Sequence, residues 1–221
     1  RTLEQVEQVA GAIVALGGNA IAVACDVSDE DSVTALARAA FERFDVVDIL
    51  VNNAGVGHSA LLHRTTLEDW NRVFSINATG SFLCTRAFLP GMLERKWGRV
   101  VNVASVAGLA AQRYIAAYAA SKHAVIGLTR AGAAETAGTG VTVNALCPGF
   151  ADTPMTDQTV ANVVKRTGRS AAEALAVVLE SSGQTRLIST SEIANAVLTL
   201  CSETGAWVNG EAIVIDGSAD A

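Results

Sequence analysis

The sequence predicts a doubly wound α/β domain, in which helices cover both faces of a parallel sheet. Short apolar runs of strand type alternate along the chain with longer segments whose apolar residues recur at helical spacing, as in βαβ units. The strand-type runs are almost entirely apolar, as strands covered on both faces should be. No internal repeat, linker or low-complexity tract divides the 221 residues, so we expect a single domain over residues 1–221.

Five apolar runs predict the strands of this sheet. They span residues 20–25, 46–51, 98–104, 141–147 and 211–216. Ligands of such sheets bind beyond the carboxyl ends of the strands, so the residues directly after each run are the candidates for a binding site. These candidates are Asp26, the turn from Asn52 to Gly55, Ser105, and Pro148 with Gly149.

The segments between these runs predict the helices. They span residues 2–16, 28–44, 66–93, 115–137 and 191–201, and an interruption is expected near residues 77–80. Ser28 is a predicted N-cap, because three acidic residues follow it, where a helix dipole favours negative charge. The region 152–184 is long, mixed and polar, which favours an inserted helical flap, and we expect residues 152–186 to bind the substrate.

Composition and charge exclude several classes of protein. Half of the residues are hydrophobic and 17% are charged, which excludes a disordered chain. The net charge of -6 disfavours a nucleic-acid-binding protein. No uncharged stretch reaches the length of about 18 residues that a membrane span needs, and no signal peptide is visible. The four cysteines are far apart and the three histidines lack ligand spacing, so we expect neither a metal site nor disulfides, and a cytoplasmic location.

Four polar residues could carry chemistry at the ligand-binding edge of the sheet. Tyr118 and Lys122 are four residues apart in a predicted helix and so share one face, where an ammonium would lower the pKa of a phenol. The spacing also arises by chance. Ser105 follows a strand and could donate to a carbonyl oxygen, or could simply cap a turn. Asn77 could bind a water at the helix interruption, or mark only a kink.

The order and spacing of these motifs resemble the short-chain dehydrogenase/reductase family over essentially the whole chain. The motifs are Asn52-Asn-Ala-Gly55, Asn77, Ser105, Tyr118-x-x-x-Lys122 and Pro148-Gly149. The segments around residues 98–103, 118–123 and 143–150 resemble the branch of polyketide ketoreductases, 3-oxoacyl reductases and 3-hydroxyacyl-CoA dehydrogenases. The resemblance implies a Rossmann-like fold, NAD or NADP as the cofactor, and hydride transfer between a ketone and a secondary alcohol. It also implies a homotetramer, which would bury part of the high apolar content.

The resemblance further implies a role for each motif residue. Tyr118 would exchange a proton with the substrate oxygen, and Lys122 would lower the tyrosine pKa and bind the nicotinamide ribose. Ser105 would hold the substrate carbonyl, and Asn77 would anchor a water that relays protons. The implied cofactor contacts are Asp26 and Val27 at the adenine, Asn53, Ala54 and Gly55 along the cofactor backbone, and Pro148, Gly149, Ala151 and Thr153 at the nicotinamide end, together with Tyr118 and Lys122.

The chain also departs from the family pattern. The opening β-α-β unit, which carries the glycine-rich turn for the pyrophosphate, is not found in the 221 residues. A G-x-G-x-x-A match from Gly55 to Ala60 lacks a following helix start, so we reject it as that turn. The sequence therefore leaves NAD or NADP open, and a non-catalytic structural or regulatory subunit stays an alternative. The flap, with apolar residues and Lys165, Arg166 and Arg169, suits an acyl thioester of coenzyme A or of a carrier protein.

Overall fold

The computed structural model describes residues 3–110 and 112–218, and within them a parallel sheet of four strands lies at the centre. The strands are β1 (Ile49–Asn52), β2 (Gly98–Val103), β3 (Val141–Pro148) and β4 (Ala212–Ile215). They lie side by side in chain order, and every pairing is parallel. Four of the five predicted strands and the parallel α/β class are therefore confirmed.

Eight α-helices are found in the described residues. They are α1 (Leu3–Ala15), α2 (Glu30–Phe44), α3 (Leu67–Phe74), α4 (Gly80–Arg95), α5 (Ala116–Glu135), α6 (Pro154–Thr167), α7 (Ala171–Glu180) and α8 (Thr190–Cys201). The interruption expected near residues 77–80 is confirmed, because a π-helical turn, Ser75–Thr79, joins α3 to α4. The helical nature of the flap is also confirmed, since α6 and α7 lie within it.

The predicted strand at residues 20–25 is wrong. These residues form no ladder, because within the described residues β1 pairs only with β2 and no strand lies beside the run. An apolar run indicates that side chains are buried, whereas a strand also needs a neighbouring strand that hydrogen-bonds its backbone N–H and C=O groups. The end of the run is indeed partly buried, since Cys25 packs against Val33, Leu83 and Cys84 between α2 and α4.

Alternate residues of the central strands pack on opposite faces of the sheet. Val100 and Val143 contact residues of α2, α4 and α5 on one face. Val101 and Leu146 contact residues of α8 on the other face. Both faces are thus covered by helices, which explains why the strands are apolar throughout. None of the helices in the described ranges is both long and apolar enough for a membrane span.

Candidate active site

The carboxyl ends of three neighbouring strands and the first turns of α5 meet at one edge of the sheet. The Lys122 Nζ of α5 donates to the carbonyl oxygen of Val103, the last residue of β2, at 2.7 Å. The Ser105 Oγ, two residues further on, lies 3.5 Å from the carbonyl oxygen of Pro148 at the end of β3. A Cβ on Gly55, beyond β1, would lie 3.6 Å from the Lys122 Nζ. The structure therefore brings these predicted residues together.

Lys122 is almost completely buried, with 5% of its surface exposed. Burial lowers the pKa of its ammonium from the ordinary value of 10.5 to about 8, and the nearby Cys147 acts in the opposite direction. One of the three N–H donors is used by Val103, which leaves two that can bind a ligand. The side chain is therefore a desolvated cation with spare donors, held at the ligand-binding edge of the sheet.

The pKa of Tyr118 differs from the expectation drawn from the sequence. Burial raises the pKa of this phenol, and hydrogen bonding with the Ser105 side chain opposes the rise without cancelling it. Lys122 does not counteract the burial, because its Nζ lies over the ring, 5.7 Å from the centroid, and donates to a backbone carbonyl instead. In this structure Tyr118 is accordingly a protonated phenol at neutral pH, poised to donate a proton.

Ser105 has the cap role that the sequence left open. Its Oγ accepts from the backbone N–H of Ala107 at 3.1 Å and so begins the short 3-10 helix Val106–Gly108. The hydroxyl makes no short bond to a backbone acceptor, since the Pro148 oxygen is 3.5 Å away, and the Ser105 side chain also hydrogen-bonds with Tyr118. The cap therefore fixes the position of the oxygen and leaves the proton available to another acceptor, such as a carbonyl oxygen.

Asn77 is 1% exposed and lies within the π-helical turn. Its Oδ1 accepts from the Val56 N–H at 2.8 Å, and its Nδ2 donates to the Val56 oxygen and to the Ser121 Oγ, both at 3.0 Å. Both N–H donors of the side-chain amide are thus used by protein atoms, and the backbone oxygen of Asn77 accepts from the Ser81 hydroxyl. The amide joins the segment after β1 to α5, while its predicted role in binding a water stays a prediction.

The residues expected at the adenine lie between α2 and α4. The Asp26 carboxylate accepts from the Ser28 O–H at 2.6 Å and from its N–H at 2.9 Å, and these bonds lower its pKa. Val27 packs so closely on α4 that a Cβ on Gly80 would lie 2.7 Å from its Cγ2. A cavity of about 150 Å³ is lined by Val27 together with Asn53 and Ala54. Val27 and the Asn-Asn-Ala turn therefore share a cavity, whereas Asp26 is not part of its lining.

The residues expected at the nicotinamide end follow β3. The Gly149 N–H donates to the Ile215 oxygen at 2.8 Å, and Ala151 forms a parallel bridge with Ile188. Thr153 directly precedes α6. The sequence analysis missed one residue that holds this loop, namely Gln184. It was placed only at the end of the flap, and its partner lies 34 residues earlier in the chain, so no local pattern could have revealed the contact.

The flap contains the larger of two notable cavities in the described residues. It has a volume of about 600 Å³ and lies between α6 and α7. Val160, Val164 and Leu175 contribute apolar walls, and Lys165 and Asp157 also line it. The second helix of the flap, α7, has a well-anchored start, because Ser170 and Glu173 form a reciprocal capping box there. An apolar chain of modest length could occupy this space.

Fold and site together define an oxidoreductase of the nucleotide-binding α/β class, with a tyrosine, a lysine and a serine at the carboxyl edge of the sheet. The chain belongs to the short-chain dehydrogenase family, since the model of the family "short chain dehydrogenase" matches residues 1–164. Its relatives support the same assignment. The chain is 46% identical over 151 residues to the 3-oxoacyl-[acyl-carrier-protein] reductase of Synechocystis sp., which covers 68% of this chain and 61% of that protein.

Two further comparisons extend over most of the chain. The D-beta-hydroxybutyrate dehydrogenase of Cupriavidus necator is 37% identical over 212 residues, which is 94% of this chain and 82% of that protein. A crystal structure of an actinorhodin polyketide ketoreductase variant with NADPH superimposes with a TM-score of 0.93 at 36% identity, covering 98% of this chain and 84% of that one. The Rossmann-like fold and the use of NAD or NADP follow from membership of this family.

Proposed function

We propose that the protein interconverts a ketone and a secondary alcohol, and that its substrate is a 3-oxoacyl or 3-hydroxyacyl thioester. The observation that carries the proposal is the convergence of Ser105, Tyr118 and Lys122 at the carboxyl ends of β2 and β3. The relatives support the substrate class, because one is named a 3-oxoacyl-[acyl-carrier-protein] reductase and another a D-beta-hydroxybutyrate dehydrogenase.

The residues around Lys122 fit the ribose of a nicotinamide cofactor. The Lys122 Nζ keeps two free donors, which suit a pair of hydroxyl groups. Gly55 leaves open the space where a Cβ would approach both the Lys122 Nζ and the Asn77 Oδ1. When bound, the nicotinamide supplies or accepts the hydride, which no side chain can do.

The proton chemistry follows from the pKa directions. Because burial raises the pKa of Tyr118, the phenol is protonated at neutral pH and can give its proton to the oxygen of a ketone that becomes an alcohol. Ser105 donates its hydroxyl proton to the same oxygen and orients it. Lys122 is charged below its pKa of about 8, and its two remaining donors hold the ribose beside the reacting atoms. In the oxidative direction the same groups act in reverse.

The flap supports a thioester substrate. The apolar cavity of about 600 Å³ between α6 and α7 would take an acyl chain. Lys165, Arg166 and Arg169 are exposed on the same flap, where they would meet the phosphate of coenzyme A or of a carrier-protein prosthetic group. This part of the proposal covers residues 152–186, and it predicts a lower KM for acetoacetyl-CoA than for an uncharged short ketone.

A homotetramer is part of the proposal. Large apolar side chains are exposed around β4 and α8, including Trp207 at 93% and Leu198 at 65%, and a second copy of the chain would cover them. Val214 of β4 is also exposed, at 47%. Light scattering after size-exclusion chromatography tests this point, and a monomer at micromolar concentration would contradict it. The cytoplasmic location stays a prediction.

The decisive experiment compares the two tyrosines of the chain. Tyr118→Phe should lower kcat for acetoacetyl-CoA with NADPH or NADH by about 10³-fold, because the general acid is lost. The dissociation constants of both cofactors should change by less than about two-fold, since the phenyl ring stays. Tyr114→Phe is the matched control, because Tyr114 is half exposed and lies on the loop before α5. It should keep the wild-type rate.

Two outcomes would contradict the proposal. Retention of most activity in Tyr118→Phe would exclude Tyr118 as the acid. A wild-type protein that binds neither cofactor would favour the alternative of a non-catalytic structural or regulatory subunit.

A further inference from the structure

The loop that follows β3 is held by a side chain from the far end of the flap. We propose that Gln184 is a positioning residue, which fixes the backbone of Gly149, Phe150 and Ala151 and thereby the nicotinamide end of the cofactor site. The inference rests on the proposed function, because that function assigns this loop to the cofactor. Neither a motif nor the family resemblance pointed to Gln184.

Gln184 is 5% exposed, and its amide is fully hydrogen-bonded. The Oε1 accepts from the Phe150 N–H at 2.7 Å and from the Ser182 hydroxyl at 2.9 Å. The Nε2 donates to the Phe150 oxygen at 3.1 Å and to the Arg186 oxygen at 3.2 Å. A primary amide has two N–H donors and two acceptor positions, so no capacity is left unused. The side chain thus pairs with both backbone polar groups of Phe150.

The backbone continues this pairing on the same side of the loop. The Ile188 N–H donates to the Phe150 oxygen at 3.0 Å, and the Asp152 N–H donates to the Ile188 oxygen at 2.9 Å. The Gln184 amide continues this pairing by one further step, because its Oε1 accepts from the Phe150 N–H in place of a backbone carbonyl. On the other side, the Gly149 N–H is bound by Ile215 of β4. The loop is therefore held between β4 and the segment 184–188.

The same amide explains why residue 149 is glycine. Gly149 has no positive φ angle, so backbone strain does not require a glycine there. A Cβ at this position would lie 2.7 Å from the Gln184 Cδ and 3.0 Å from its Nε2, and closer still to its Oε1. Gln184 could yield only by breaking its bonds to Phe150. A side chain at residue 149 is therefore incompatible with a Gln184 side chain that keeps its hydrogen bonds to Phe150.

The first test removes the amide while keeping the length of the side chain. Gln184→Met should make the Phe150 N–H exchange with solvent at least about ten-fold faster, because that group loses its acceptor. It should also raise the KM for the cofactor about ten-fold with a smaller change in kcat, since small displacements of binding groups are costly. Gln8→Met, on the exposed surface of α1, is the matched control and should change neither quantity.

The second test uses the exclusion between residues 149 and 184. Gly149→Ala should raise the cofactor KM strongly in the wild-type background and much less in the Gln184→Ala background, where the clashing amide is gone. A merely structural role would lower the melting temperature of both single variants and leave the cofactor KM of the folded proteins unchanged. Equal fold-changes of Gly149→Ala in the two backgrounds would overturn the inference.

The readouts separate failure of this inference from failure of the proposed function. If the wild-type protein binds neither NADH nor NADPH, the proposed function fails. The exchange rate of the Phe150 N–H still decides whether Gln184 holds the loop. If the wild type binds cofactor and a folded Gln184→Met variant keeps both its KM and a protected Phe150 N–H, the positioning role is overturned.

Discussion

Replacement of the buried Lys122 by methionine should change how the stability of the protein depends on pH. Burial lowers the pKa of this lysine from 10.5 to about 8 in the folded chain, whereas in the unfolded chain the ammonium is solvated. Between these two values the unfolded chain binds a proton that the folded chain has released. Lys122 therefore destabilises the folded chain most below its folded pKa of about 8, where the buried ammonium is charged. As the pH rises from this value towards 10.5 the buried group loses its charge, and the free energy of unfolding increases.

The expected size follows from the two pKa values. Proton linkage gives a gain of about 2 kcal/mol in the free energy of unfolding between pH ~7.5 and ~9.5 for a lysine with these values. Lys122→Met removes this contribution but also leaves the Val103 oxygen without its donor, which adds an offset that does not depend on pH. Tyr118 and Cys84, whose pKa values burial raises, are present in both proteins and largely cancel, whereas Cys147, whose pKa Lys122 lowers, adds to the shift in the same direction.

Urea denaturation at several pH values measures the difference between wild type and Lys122→Met. We expect the difference in free energy of unfolding to shift by about 2 kcal/mol in favour of the wild type between pH ~7.5 and ~9.5. The control is Lys165→Met, which makes the same change on the exposed surface of α6, where folding does not desolvate the ammonium. The difference in free energy of unfolding between Lys165→Met and the wild type should not change with pH. If the difference for Lys122→Met does not change with pH either, the reasoning that Lys122 is a desolvated cation is refuted.

Three further predictions concern the site and its support. Ser105→Ala should lower kcat/KM by about 10²-fold with the cofactor dissociation constant unchanged, and steady-state kinetics that match the wild type would exclude the oxyanion role. Asn102→Ala should lower the free energy of unfolding by about 3 kcal/mol in urea, because buried Asn52 loses an acceptor at 2.8 Å and Thr129 loses its donor; a loss below about 1 kcal/mol would contradict this. Ser170→Ala should cost about 1 kcal/mol through the lost capping box, visible as faster amide exchange at the start of α7, and unchanged exchange would be the contrary result.

The fold could be predicted from the sequence because burial imposes its own periodicity. Strands covered on both faces appear as apolar runs, and Val100 and Val101 in β2 show why, since they pack on opposite faces. The run 20–25 was predicted as a strand on the same ground and is not one. Its side chains are partly buried, but pairing depends on which chain segment lies beside it, and that information is absent from a local pattern.

The site could be located from the sequence because parallel strands place their carboxyl ends at one edge. Ser105 and Pro148 were candidates for that reason alone, and they lie 3.5 Å apart between Oγ and carbonyl oxygen. The direction of the Tyr118 pKa could not be predicted in the same way, because it depends on how deeply the ring is buried and on which atom the ammonium faces. Spacing fixes the helix face that two residues share, but not the depth at which they lie.

The backbone at or just beyond the carboxyl ends of β1, β2 and β3 is held by one kind of contact. In each case a buried polar side chain from elsewhere in the chain binds a backbone group. The pairs are Asn77 with Val56 after β1, Lys122 with Val103 at the end of β2, and Gln184 with Phe150 after β3. Ladder bonds end where a strand ends, so loops beyond it would otherwise be free to move. Groups that must stabilise charge in a transition state act best when their positions are fixed before the substrate arrives. We expect the buried amides of Asn77 and Gln184 to supply that rigidity and to act on the chemistry through the loops that they hold.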